Sequence, residues 1–126
     1  MPFDKPRILL VDDEKDILYV LQKGLELKGF HVDGFADPIE AAAQFAPFRY
    51  DIVISDIRMP QMTGFDLYRM LRKQDNRFKI FFLTAFEVHE QEVKLAFPNL
   101  PLNSFIHKPI GIDDLVRLIE TPKQRQ

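Results

Sequence analysis

Ile8-Leu9-Leu10-Val11-Asp12-Asp13 is a short, continuously apolar run that breaks into two acids. A run of this kind is the pattern of a strand covered on both faces. Three later runs repeat it. Ile52-Val53-Ile54-Ser55 is followed by Asp56, Ile80-Phe81-Phe82-Leu83 by Thr84, and Phe105-Ile106-His107 by Lys108-Pro109. In an open parallel sheet the strand C-termini share one edge, where ligands bind. The four runs therefore bring three carboxylates, a hydroxyl and an ammonium to one mouth.

Helix-like stretches separate the runs. Glu14 to Lys28 carries Ile17, Val20, Leu21, Leu25 and Lys28 near helical spacing, and Gly29 suits its C-terminal cap. Phe30 to Phe35 alternates apolar and polar residues, which predicts a strand at the sheet edge. Asp37-Pro38 opens a second helix, with Asp as cap and Pro in the first turn. Ile39, Ala42, Ala43 and Phe45 carry that helix towards Pro47, which stops it. Asp51 to Ser55 and Phe78 to Leu83 read as strands. Between them Phe65 to Gln74 reads as a helix with Phe65, Leu67, Tyr68 and Leu71 in a stripe. Glu87 to Phe97 is a polar helix limited by Pro98 and Pro101. Ser104 to His107 is a short fifth strand, and Gly111 to Glu120 a last helix with Ile112, Leu115, Val116 and Ile119 inward. This alternation predicts an α/β, doubly wound, five-stranded parallel sheet flanked by five helices. Residues 1–126 read as one domain, with a core of about 7–120 and a polar tail or linker start at 121–126.

Composition narrows the function. The 126 residues carry a net charge of −2, so no global basic field draws the chain to nucleic acid. With no cysteine, disulfides, thiolate zinc sites and cysteine nucleophiles are excluded. No apolar stretch approaches the ~18 residues of a membrane span, and no long apolar region follows the N-terminal charges as in a signal peptide. A cytoplasmic protein is expected. The 12 Phe residues read mainly as core. His31, His89 and His107 lack metal-ligand spacing, and no Gly-rich nucleotide loop is present. Arg69, Arg72, Lys73 and Arg77 read as a solvated face.

Asp12, Asp13 and Asp56 form a dense negative pocket, which like-charge repulsion disfavours unless a cation is bound. Hard oxygen donors of this kind suit Mg2+. Asp56 is then placed as a nucleophile that takes a phosphoryl group, with the Lys108 ammonium and the Thr84 hydroxyl ready for phosphoryl oxygens. A prolyl bond at Lys108-Pro109 is open to the cis form. Each residue alone has a plainer reading. Asp12-Asp13 could cap the first helix, Asp56 could serve the turn before Met59-Pro60, Thr84 could end a strand, and Lys108 could be solvated.

Taken together, Asp12-Asp13, Asp56, Met59-Pro60-Gln61-Met62-Thr63-Gly64, Thr84-Ala85 and Lys108-Pro109 resemble the receiver domains of two-component response regulators, of the chemotaxis-regulator type. The likeness runs from Arg7 to the last helix. It implies a flavodoxin-like receiver fold with strand order 2-1-3-4-5. It also implies Asp56 as phosphoacceptor, Asp13 as direct metal ligand assisted by Asp12, and the backbone carbonyl of Arg58 as a further ligand to Mg2+. Thr84 becomes the switch hydroxyl, Lys108 the phosphate-contacting lysine and Phe105 the aromatic switch. Gly64 is expected to allow an unusual backbone angle. The implied donor is a histidine kinase or phosphotransfer protein. The implied output is a change in the face of helix 4, strand 5 and helix 5, which controls a partner protein, an output domain or a phosphorylation-dependent homodimer. Direct nucleic-acid or membrane contact is not implied.

One segment is unusual for that family. Phe97-Pro98-Asn99-Leu100-Pro101-Leu102-Asn103 stands where many relatives have a small-residue turn. It reads either as a specialised partner or dimer contact or as a loop packed on itself. The resemblance also implies that Arg58, two after the acceptor, and Phe86, two after the threonine, occupy positions that often tune phosphoryl lifetime in the family, and a large apolar Phe86 predicts slow self-dephosphorylation. Three rivals remain. A haloacid-dehalogenase-type phosphohydrolase needs Asp-x-Asp, which Asp56-Ile57-Arg58 breaks. A flavodoxin-like nucleotide binder needs a phosphate loop where Asp12-Asp13-Glu14 would repel one. The third is a phosphorylation-independent, receiver-like binding module.

Overall fold

A computed structural model describes residues 5–85 and 89–120. Its strands are β1 (Arg7–Val11), β2 (His31–Phe35), β3 (Ile52–Asp56), β4 (Lys79–Thr84) and β5 (Phe105–His107). Its helices are α1 (Lys15–Leu27), α2 (Pro38–Gln44), α3 (Gly64–Gln74), α4 (Glu90–Ala96) and α5 (Ile112–Glu120), with a short 3-10 turn at Leu102–Ser104. All pairings are parallel and the order is β2-β1-β3-β4-β5. The expected edge strand is indeed at the edge.

The pleat sorts each buried strand between two cores. Ile8, Leu10, Ile52, Ile54, Phe81 and Leu83 face α1 and α5, packing with Leu21, Leu25, Leu115 and Ile119. Leu9, Val11, Val53, Ile80 and Phe82 face α2 and α3, packing with Ala41, Phe45, Leu67 and Leu71. Both faces being covered explains the uninterrupted apolar runs. Chain order reverses between β1 and β3, whose following helices lie on opposite faces. The gap at their C-terminal ends is a topological switch point.

Local chemistry sets the helix ends. Asp37 accepts from the Ile39 amide at 2.9 Å with Pro38 in the first turn, as read from sequence. Thr63 and Asp66 form a reciprocal capping box on α3. After α1, Gly29 takes φ 97, with its amide donating to Glu26 O and the Phe30 amide to Leu25 O. These two bonds make a Schellman motif, which needs the left-handed conformation that glycine adopts most cheaply.

Several boundaries and faces differ from the sequence reading. α2 ends at Gln44, with Phe45 extended, before Pro47 is reached. Its buried residues are Pro38 and Ala41, whereas Ile39 is 46% exposed. Val20 of α1 also faces solvent, because Leu21 and Leu25 take the core. Ser104 belongs to the 3-10 turn, not to β5, while Asp56 and Thr84 are the last residues of their strands. Among the described residues Phe is buried or half-buried except at Phe48, which is exposed with φ 64.

The Arg69–Arg77 stretch is more than a solvated face. The Arg72 guanidinium lies 4.0 Å from the Phe78 ring centroid and donates to Phe78 O at 3.1 Å. In the loop after α4, Phe97 packs on Phe65 and Tyr68 at 5.1 and 5.7 Å between ring centroids, with Arg69 over it. Leu100 also turns to that core, while Pro98, Asn99 and Pro101 stay exposed.

Candidate functional site

β1 delivers Asp12 to the switch point, fully buried, with its amide donating to Phe35 O at 3.1 Å. Its Oδ1 accepts from the Glu14 amide at 2.9 Å. Asp12 therefore braces the start of α1 without being its N-cap, which is Glu14. Asp13, next in the loop, is half-buried. β3 delivers Asp56 from the other side of the gap. Its Oδ1 accepts from the Ile57 amide at 3.0 Å, and the residue is buried.

The loop after Asp56 is shaped by backbone contacts. Gly64 N donates to Ile57 O at 2.8 Å, which folds the segment back on the strand end. The unusual backbone angle expected at Gly64 falls instead on Gln61, whose φ of 73 is left-handed. Gly64 is needed for a different reason: a Cβ there would collide with the carbonyl oxygen of Asp56. Arg58 is exposed within this loop.

β4 ends in Thr84, buried beside Asp56 in the neighbouring register pair Asp56↔Leu83. The Lys108 amide donates to Thr84 O at 2.8 Å, tying the ends of β4 and β5 together, and the Lys108-Pro109 bond is cis. Lys108 extends into the mouth. Its Nζ lies 3.2 Å from Asp56 Oδ2, 2.9 Å from Asp12 Oδ2 and 2.9 Å from Glu14 Oε1. Glu14 was not singled out from sequence. The signal available was a third acid directly after Asp12-Asp13. Phe105, half-buried, stacks on Phe82 at 5.4 Å and approaches Phe65 at 6.3 Å. Phe86 lies outside the described residues.

Charge crowding shows in the ionisation of these groups. Burial first, and the Asp12 charge second, push the Asp56 carboxyl up to about 6, although Lys108 pulls the other way. For Lys108, burial disfavours the ammonium, but contacts with Glu14, Asp12 and Asp56 outweigh it and leave the lysine above its ordinary range.

Among the described residues, Asp12, Asp13 and Asp56 each bring a carboxylate oxygen within 4.8 Å of the others. Asp12 Oδ2 is buried, and the close partner the structure gives it is the Lys108 ammonium at 2.9 Å. Three converging carboxylates, two of them sharing one ammonium, fit a small divalent cation with hard oxygen preference. His31, His89 and His107 are all exposed and take no part in this cluster. Among the described residues no helix is long and apolar enough to cross a membrane.

The chain is similar to known proteins in both sequence and fold. The sequence profile of the response regulator receiver domain matches residues 8–120. The sensor protein EvgS of Escherichia coli K12 is 34% identical over 113 residues, which is 89% of this chain but only 9% of EvgS. The non-phosphorylated HemR receiver domain of Leptospira biflexa superposes with TM-score 0.79 at 29% identity, covering 97% of this chain and 100% of that one. The response regulator TrrA of Thermotoga maritima, solved in complex with Mg(2+)-BeF, superposes with TM-score 0.75 at 30% identity, covering 92% and 97%.

Proposed function

The chain belongs to the response regulator receiver domain family, and from that premise we propose that Asp56 is its phosphoacceptor and that transfer depends on Mg2+. Receiver domains are the signalling switches of two-component systems, and accepting a phosphoryl group is the family's function. The observation that carries the residue assignment is the convergence of Asp56, Asp12 and Lys108 at the switch point, with Lys108 Nζ in contact with both carboxylates. Residues 7–120 act as one domain in this reading.

Asp12, Asp13, Asp56 and the Arg58 carbonyl would hold the Mg2+, which when bound supplies charge neutralisation for the transferring group. The Asp56 carboxylate attacks phosphorus. A new O–P bond forms, the bond from phosphorus to the donor breaks, and the electron pair leaves with the donor. A histidine kinase or phosphotransfer protein is the donor. Lys108 moves its contact from the Asp56 carboxylate to a phosphoryl oxygen. Thr84, at the adjacent strand end, donates its hydroxyl to another.

Phe105 then reports the change by how deeply it packs against Phe82 and Phe65, which alters the face made by α4, β5 and α5 for a partner, an output domain or a second copy. Arg58, two residues after Asp56, and Phe86, two residues after Thr84, set the phosphoryl lifetime in this reading.

Thermal melting with magnesium and beryllofluoride, a phosphoryl mimic, tests this reading. The wild type is expected to gain several degrees only when both are present, and Asp56→Asn to gain none. Equal gain in both proteins would overturn it.

A further inference from the structure

Glu14 occupies the N-cap of α1, yet its side chain makes no capping hydrogen bond. Ser, Thr, Asp and Asn serve that position best, and Glu is a poor substitute. The carboxylate instead turns to the site and receives a hydrogen bond from Lys108 Nζ at 2.9 Å, across 94 residues of sequence. A local rule broken in favour of a contact at a reactive centre points to function.

The lysine does not need Glu14 for its placement. Its amide is fixed to Thr84 O, and Asp12 and Asp56 already flank its ammonium. Asp12 and Asp56 are also the acids expected to turn to a bound cation, which leaves Glu14 as the partner that stays on the lysine. Glu14 is exposed, with 58% of its side chain accessible, so it can hold or release Lys108 without disturbing the core. Its negative charge opposes every anion that Lys108 is meant to receive.

Resting on the phosphoacceptor reading, we infer that Glu14 is an electrostatic brake that competes with the phosphoryl group for the Lys108 ammonium. It thereby slows loading of Asp56 and weakens retention of a phosphoryl-like anion. The mechanism is competition for one cation, so removing the Glu14 charge should strengthen the site.

Glu14→Gln keeps the shape and removes the charge. Two quantities are measured: the rate at which a small phosphodonor loads Asp56 with magnesium, and the affinity for beryllofluoride by fluorine NMR. Glu14→Gln is expected to raise both by about fivefold, the upper end for a partly exposed ion pair. In a Lys108→Ala background the same change should alter either quantity by less than about twofold, because the coupling runs through the lysine. A wild type that loads normally beside an unchanged or slower Glu14→Gln would overturn the inference and leave the phosphoacceptor reading intact. So would a fivefold gain that persists without Lys108, since the effect would then be general electrostatics. Failure of the wild type itself to load would strike the phosphoacceptor reading instead.

Discussion

Gly64 lies against Asp56 so closely that a Cβ built on it would strike the Asp56 carbonyl oxygen, with Ile57 Cα only 3.1 Å away. The neighbours are backbone atoms at the end of a central strand, so they cannot give way as a flexible side chain would. Gly64→Ala is therefore expected to cost about 1–3 kcal/mol, as overpacking does, and to displace Asp56. A melting curve should show the loss, and loading of Asp56 should fall with it. A variant as stable as wild type would show that the loop yields easily.

Gly29 carries the Schellman turn after α1 at φ 97. Its Cβ would meet no atom nearer than Lys5 Cγ at 3.5 Å, so only the backbone angle opposes substitution. Gly29→Ala is expected to destabilise by ~1 kcal/mol. The measurement is urea unfolding. No change in midpoint would contradict the assignment.

The Asp56 carboxyl, raised to about 6 from 3.8, holds its proton more tightly in the folded chain than in the unfolded one. It therefore contributes stability at acidic pH that is lost as pH rises from about 4 through about 6. A shift of roughly two units corresponds to ~3 kcal/mol at most. Asp56→Asn removes the titration. Without metal, its melting temperature should exceed the wild type's at pH 7.5, and the gap should narrow towards pH 4. A gap independent of pH would contradict this.

Phe86, large and apolar, follows Thr84 by two residues in sequence. Replacing it with Ala or Glu is expected to shorten the life of the phosphoryl group on Asp56, followed by decay of the adduct. An unchanged lifetime would remove Phe86 from the reading.

The sheet was legible because β1, β3 and β4 are covered on both faces and so run apolar without interruption. That Asp12, Asp13, Asp56 and Lys108 meet was legible because strand ends in such a sheet converge. What escaped depends on packing that no local pattern encodes. α2 spans too few residues for its periodicity to show that Ala41, not Ile39, turns inward. Arg72 reads as a surface charge until Tyr68 and Phe78 are seen to flank it. At Gly64 the sequence pointed to a special residue but not to the reason, which is a close approach and not an angle. Glu14 was hidden because its partner lies at the far end of the chain.

Intact-mass spectrometry after incubation with a small phosphodonor, with and without magnesium, tests the central claim most directly. One added phosphoryl group, present only with magnesium and absent in Asp56→Asn, is the expected result. No adduct in a protein shown to bind magnesium, or an adduct that survives in Asp56→Asn, would contradict the assignment of Asp56 as the acceptor.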